Sequence, residues 1–328
     1  MKKFIYILMI MLLSAPVSAE NFVPEQPIIT TQELKPGMSG YILTVVKGTE
    51  PVKMPVKIVS IIPEKPGSIM KNKILIKFTG RNKLAQGMSG SPVFIKNKLI
   101  GGIRSGWDNS DQSLAVVTPI EAMIKSFNSG EELGVRSEEL KTFNISVAGI
   151  NANSVSRLSK VLGLNVNQGI SLSSGNLEIK NINFKPGDAV AALLVWGDVE
   201  VSAAGTVTAT SKDGKFLAFG HDFLNRGRVS YPSAGAFIHE TVDSYSFPFK
   251  LASPLYINGV VTQDREEVIG GQAGVFAKSF EAELKFKNLD TGKQSRYKFR
   301  VIPDEFLSAK LIEEVYKGLI TEAWGRKG

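Results

Sequence analysis

The stretch from Gly87 to Trp107, GMSGSPVFIKNKLIGGIRSGW, constrains this chain more than any other. Glycines at 87 and 90 flank Ser89 and let the backbone turn where few other residues can follow. Pro92 opens an apolar strand, Pro-Val-Phe-Ile, at a position that needs no ladder hydrogen bond. Lys96-Asn97-Lys98 makes a turn, and Leu99-Ile100-Gly101-Gly102-Ile103 returns to Ser105-Gly106-Trp107. The pattern predicts a β-hairpin that presents a serine hydroxyl at its entrance. Such a hydroxyl becomes a nucleophile only with a base beside it. An acyl-transfer centre also needs N–H donors converging on the developing oxyanion.

Gly37-Met38-Ser39-Gly40 repeats four of these letters, but no proline and no returning hairpin follow it. Ser39 therefore reads as a turn residue before a first strand. The N-terminus reads as an export signal over residues 1–19: Lys2 and Lys3, then an apolar run from Phe4 to Leu13, then small residues up to Ala19. The run is too short to span a bilayer, which takes about 20 apolar residues. With the signal removed, no membrane span is expected, and the protein is placed in the periplasm or outside the cell. There are no cysteines, so a thiol nucleophile, disulfides and cysteine-held metals are excluded. The net charge of +8 is spread over scattered lysines and arginines, without the aromatic interleaving of a nucleic-acid surface. No cofactor pattern and no metal-ligand spacing such as HExxH is present. Nothing in these patterns sets an oligomeric state.

Short apolar strands punctuated by Gly, Pro, Asn and Lys predict an all-β fold with a few helices. Residues 20–130 form a β-domain carrying the serine motif, with strands at Tyr41–Lys47, Pro55–Ile62, Ile74–Phe78 and Leu114–Val117 around the hairpin. A helix opens at Thr118-Pro119 and runs to Phe127. Residues 131–165 read as a connector with a short helix over Ser154–Gly163. Residues 166–303 form a second β-domain. Its strands are expected at Ile170–Ile179, Ala189–Val201, Gly205–Thr210, Lys215–Phe219, Ala234–Val242, Phe247–Leu251, Gly259–Gln263, Phe280–Lys287 and Gln294–Val301. Residues 304–328 close the chain as an amphipathic helix, with Phe306, Leu307, Leu311, Ile312, Val315, Leu319 and Ile320 on one face.

Only two histidines could act as the base. His221, in Phe219-Gly220-His221-Asp222, stands at a strand end after a glycine, where a hairpin delivers a side chain to a cleft. His239 lies mid-strand, where a structural role is ordinary.

These residues together resemble the SpoIVB-type serine peptidases. The likeness rests on GMSGSPV behind an Ile-Leu-Ile-Lys-Phe-Thr strand, and on Ala204-Gly205-Thr206-Val207-Thr208 leading through Phe219-Gly220-His221. It covers roughly residues 35–127 and 185–275. The resemblance implies a chymotrypsin-like double β-barrel, Ser89 as nucleophile, His221 as base, and the amides of Gly87 and Ser89 as the oxyanion hole. It also implies that Ser105 and Gly106 hydrogen-bond the substrate backbone. The chain departs from the family in segment order, which is permuted, in lacking a PDZ module, and in having Gly80 where the acidic triad member is expected. Asp198, Asp264 and Asp243 are candidates for that third group; Asp222 faces away from a base on the same strand. A Ser-His dyad helped by a backbone carbonyl is the remaining arrangement. The expectation is an exported serine endopeptidase acting on protein or peptide substrates. The competing one is a catalytically silent envelope protein that keeps the fold for protein binding.

Overall fold

The computed structural model describes residues 21–129, 144–163, 166–170, 177–244, 246–289 and 291–324. Residues 1–19, expected to be an export signal, lie outside them, as do residues 130–143. From Ser39 onward the chain first builds six strands: β1 (Ser39–Val45), β2 (Pro51–Pro63), β3 (Asn72–Phe78), β4 (Pro92–Ile95), β5 (Lys98–Ser105) and β6 (Leu114–Pro119). They pair antiparallel in the order β1-β2-β3-β6-β5-β4 and close on themselves. Along β2, Met54, Val56 and Ile58 are buried while Lys53, Pro55 and Lys57 are exposed, the period-two alternation of a strand with one wet face. The core of this barrel gathers Ile42, Val56, Ile58, Ile74, Ile76, Val93, Ile103 and Val117.

The helix α1 (Ile120–Ser129) leads away, and β7 (Asn144–Ala148), α2 (Ala152–Leu162) and β8 (Val166–Gln168) follow. The stretch read as a connector thus adds one strand, β7, to the edge of the second sheet, where β8 pairs with it. Its helix is bounded by an Asn151 side chain that accepts from the Ser154 amide and by Gly163 in the left-handed conformation.

The second sheet contains β9 (Ala189–Gly197), β10 (Glu200–Thr210), β11 (Lys215–Ala218), β12 (Gly227–Val242), β13 (Phe249–Arg265) and β14 (Val268–Ala273), then β15 (Phe280–Lys287) and β16 (Gln294–Val301). The order β9-β12-β13-β14-β11-β10, with an additional β9–β10 pairing, closes six of its strands into a second barrel. Counted from its own first strand, that ring repeats the order of the first barrel. The fold is a chymotrypsin-like double β-barrel. β7 and β8 extend it beyond β10, and β16 and β15 extend it beyond β9.

Every residue of β9 and β10 is buried, because the outer faces of these strands are covered as well as the inner ones. The closing helix α3 (Ser308–Trp324) presents Leu311, Val315 and Leu319 to this core, with Leu307 just ahead of it. Phe306, expected on the same face, is 58% exposed and lies beside the Arg226 guanidinium instead.

Several strand boundaries differ from expectation. Ala189–Val201 is broken at Gly197-Asp198, where the chain turns between β9 and β10. From Phe249 onward the expected Phe247–Leu251 strand runs on through Gly259–Gln263 as one long strand, β13. Of the strand expected at 170–179, residues 171–176 lie outside the described residues, and Ile179 makes only an isolated bridge to Ile257. Among the described residues no helix is long and apolar enough to cross a membrane.

A third apolar cluster locks the barrels together. It combines Phe22, Phe94, Leu99, Ile120 and Met123 with Ala209, Leu217 and Val268 of the second barrel. The extended N-terminal strap supports it: Ile29 donates to the Leu99 carbonyl and Glu25 to the Thr210 carbonyl.

Candidate active site

Ser89 lies in the connection between the third and fourth strands of the first barrel. His221 lies in the same connection of the second. The serine turn has Gly87 at φ +87° and Gly90 at φ +85°. At Gly90 a side chain is excluded on a second count, since a Cβ would fall 2.0 Å from the Thr206 carbonyl oxygen and 2.3 Å from the Phe219 nitrogen. The turn is therefore pressed against both β10 and the approach to His221.

β10 grips this turn along its length. The Thr206 amide donates to the Ser89 carbonyl (2.8 Å), the Thr206 hydroxyl to the Gly87 carbonyl (3.1 Å), and the Thr208 hydroxyl to the Gly90 carbonyl (2.6 Å). The Gly90 amide donates to Ile103 of β5 (2.7 Å). Two further bonds fix the peptide planes that matter for an oxyanion. The Gln86 carbonyl accepts from the Lys250 amide (3.0 Å), and the Met88 carbonyl accepts from the Ser91 amide (2.9 Å). In a trans peptide the N–H points opposite to the carbonyl, so these bonds orient the Gly87 and Ser89 amides. Neither amide donates to another group among the described residues, which leaves both for an oxyanion. Ser89 Oγ is fully buried and makes no hydrogen bond. Ser39 is exposed at the start of β1, in strand conformation.

The His221 connection is held from three sides. Phe219 (φ +67°) and Gly220 (φ +68°) are consecutive left-handed residues, and for phenylalanine that conformation costs about 1–3 kcal/mol. The Phe219 ring is accommodated because residue 205 is glycine: a Cβ there would stand 2.5 Å from the ring. The Gly220 carbonyl accepts from the Thr118 hydroxyl and from the buried Arg104 guanidinium, both of the first barrel. Arg104 also reaches the Glu266 carbonyl (2.8 Å). His221 is fully buried, with Nδ1 2.6 Å from the Asp222 carbonyl oxygen. A proton on Nδ1 donates to that carbonyl and leaves Nε2 as the basic nitrogen.

The three proposed acids separate clearly. Asp264, at the end of β13, accepts from the amides of Phe223 (2.6 Å), Leu224 (2.8 Å) and Arg226 (3.4 Å). It shapes the loop that follows the histidine. Burial is the main cause that pushes its carboxyl up to about 6; the amide bonds oppose this and nearby Asp222 adds to it. Asp198 is exposed in the β9–β10 turn and accepts from the Lys298 amide (2.7 Å). Eight residues separate it from Thr206, about 25 Å of extended strand. Asp243 is exposed in the β12–β13 turn. His239 places Nε2 2.9 Å from Ser253 Oγ.

Ser105 and Gly106 end β5 in a buried setting. Ser246–Lys250 is laid along them: Asn109 donates to the Ser246 carbonyl, Gln86 donates to the Pro248 carbonyl, and Phe247 packs near the Gly106 backbone. Beyond this segment opens a cavity of about 510 Å³, bordered by Gln86, Asp108, Ser156, Ser159, Ser246 and Phe249. Neither Ser89 nor His221 lines it. No cluster of three or more metal-ligating side chains occurs among the described residues.

Sequence reasoning gave no role to Thr44, Thr206, Thr208 or Lys250. The alternation of Gly205-Thr206-Val207-Thr208 was the only hint: small polar residues at every second position of a buried strand call for partners. No model of a known protein family matches this chain, and no curated protein does.

Proposed function

We propose that this chain is an exported serine endopeptidase, resembling the SpoIVB-type enzymes, that works through an acyl-enzyme. Ser89 Oγ attacks the scissile carbonyl carbon, and its proton passes to Nε2 of His221. The resulting oxyanion is met by the Gly87 and Ser89 amides. Collapse breaks the C–N bond as His221 returns the proton to the leaving amine. Water then attacks the ester by the same route, freeing the acid and the serine. The Asp222 carbonyl takes the orienting place of a triad acid. One observation carries the reading: an unbonded serine hydroxyl stands in a turn whose two flanking amides are oriented and unused. A fluorophosphonate probe tests it, with labelling of Ser89 expected and an unlabelled protein contradicting it.

Complete burial of Ser89 and His221 favours a second reading, a silent envelope protein that binds partners through the same fold. For the enzyme, the Ser246–Phe247 turn must move to admit a chain to Ser105 and Gly106, while Lys250 stays bonded to Gln86. Slow labelling that accelerates in Phe247→Ala would fit a closed enzyme; no labelling in either protein would favour the binding protein.

A further inference from the structure

Lys250, at the junction of the two barrels, is buried to 1% exposure. Its side chain leaves β13 and passes over Gly87, with Cβ and Cδ each 3.2 Å from where a Gly87 Cβ would stand. Nζ donates to the Thr44 hydroxyl of β1 (2.8 Å) and the Thr206 hydroxyl of β10 (3.4 Å). The Ser91 hydroxyl donates to Thr44 (2.9 Å) and lies 3.4 Å from the Thr206 oxygen. Thr206 has a single hydroxyl proton, and it goes to the Gly87 carbonyl. Toward Lys250 that oxygen can only accept. The chain of bonds therefore has one direction: amine to threonine to the carbonyl of Gly87.

We propose that Lys250 is a positioning residue of the catalytic centre: its main chain holds the peptide before Gly87 and its side chain, through Thr206, the peptide after it, so that the Gly87 amide between them stays aimed at the oxyanion. This rests on reading Ser89 as the nucleophile. The main chain of Lys250 already holds the preceding peptide through the Gln86 carbonyl. The side chain fixes the next one, so a single residue sets both sides of Gly87. An ammonium pulls the Gly87 carbonyl through Thr206 more strongly than a neutral amine, because charge-assisted hydrogen bonds are roughly twice as strong.

Nζ meets the Thr44 and Thr206 hydroxyls, which do not titrate. On β12, Thr241 stands opposite Lys250. Glu240 is exposed and paired with Lys47, and His239 is turned to Ser253. Burial lowers the amine to about 7, so its charge is present below neutrality and lost above it.

The test compares Lys250→Met with wild type. Methionine keeps the stem over Gly87 and the main-chain bond to Gln86, and it removes only the amine. The fluorophosphonate labelling rate and kcat should fall about a hundredfold with KM little changed, the scale of a small misplacement in a catalytic centre. The wild-type rate should decline as pH rises through about 7, and the variant should lack that limb. Thr206→Val should lose the rate as Lys250→Met does, and Thr206→Ser should restore most of it. A packing role alone would leave the pH profile unmoved. The second measurement is independent of catalysis: in ¹⁵N-labelled wild type the Gly87 and Ser89 amide shifts should titrate near pH 7, and in Lys250→Met they should stay flat. Flat wild-type shifts, or a variant with wild-type rate and profile, overturn the proposal while Ser89 labelling still upholds the hydrolase. Titrating shifts in a protein that never labels would keep Lys250 as the holder of the turn and remove the enzyme.

Discussion

In the first barrel the connection between third and fourth strands is a glycine turn that offers backbone amides and one hydroxyl. In the second barrel the same connection carries His221 and Asp222, with Asp264 bound to the amides that follow. One barrel contributes dipoles fixed by the main chain; the other contributes an imidazole with carboxylates around it. Each connection is held largely by the opposite barrel. Thr206 and Thr208 grip the serine turn, and Thr118 and Arg104 grip Gly220. Identical strand order puts both connections at the shared seam, so a centre can form there although 132 residues separate Ser89 from His221. In the proposed enzyme, preorganised dipoles and a proton carrier place opposite demands on the scaffold. The dipoles need rigidity, and the carrier needs its protonation state tuned. Dividing them between two barrels meets both.

The largest effects should come from removing either half. Ser89→Ala should abolish fluorophosphonate labelling, and Ser39→Ala, on an exposed strand start, should leave it unchanged. His221→Ala should lower kcat by several orders of magnitude, leaving the roughly 10³–10⁴-fold acceleration over water that an oxyanion hole and binding supply alone. His239→Ala should be near wild type, since its ring bonds Ser253. Equal activity in His221→Ala and wild type would end the division of labour between the barrels.

The next effect falls on the joint itself. Gly90→Ala would drive a methyl to 2.0 Å from the Thr206 carbonyl and 2.3 Å from the Phe219 nitrogen, in a backbone conformation already unfavourable for alanine. A loss of at least about 3 kcal/mol is expected, on the scale of severe steric mutations. Thermal melting should register it, and a stable Gly90→Ala protein would show that the serine turn is not clamped between barrels.

How far these features could be read from the chain differs between the barrels. In the first barrel, Met54, Val56 and Ile58 alternate with polar or exposed neighbours, and GMSGSP marks its own turn. Period and punctuation therefore reveal both the strands and the serine turn. In the second barrel, both faces of β9 and β10 are covered, so alternation disappears. Trp196-Gly197-Asp198 then looks like strand interior, although it is a turn. Conversely, Ser253-Pro254 and Asn258-Gly259 look like punctuation, yet β13 runs through both. β14 was missed because Gly270-Gly271 suggests a loop; Gly270 is in fact a flat seat for the Phe127 ring. The site followed the same logic. Ser89 and His221 were visible because their local turns are unusual, whereas Thr44, Thr206 and Lys250 meet only through contacts 44 to 206 residues apart, which no local pattern records.

Asp264 gives a smaller effect with a defined sign. Its carboxyl has a reference value of 3.8 and is raised to about 6 in the fold. Below about 4 both folded and unfolded chains hold the proton. Between about 4 and 6 the unfolded chain releases it while the folded chain retains it, so stability is lost as pH rises through that window. The shift corresponds to at most about 3 kcal/mol. Asp264→Asn has no such titration. Denaturant midpoints across the window should fall more steeply for wild type than for the variant, and parallel curves would mean that the second barrel's buried acid does not titrate there.

The smallest effect belongs to Asp198, and it sharpens the comparison by exclusion. This acid belongs to the second barrel, as His221 does, and chemistry alone would admit it as a triad member. The strand geometry does not, because about 25 Å of β10 lies between it and Thr206. Its carboxylate instead accepts from the Lys298 amide, and its own amide donates to the Lys298 carbonyl, joining the β9–β10 turn to β16. Asp198→Ala should remove one exposed, charge-assisted bond, worth about 1 kcal/mol. kcat, KM and the pH profile on any peptide substrate should match wild type. A fall in kcat of more than a few-fold, with the melting temperature preserved, would place Asp198 in the proton path. It would also mean that the titrating half of the centre is assembled around a different turn of the second barrel.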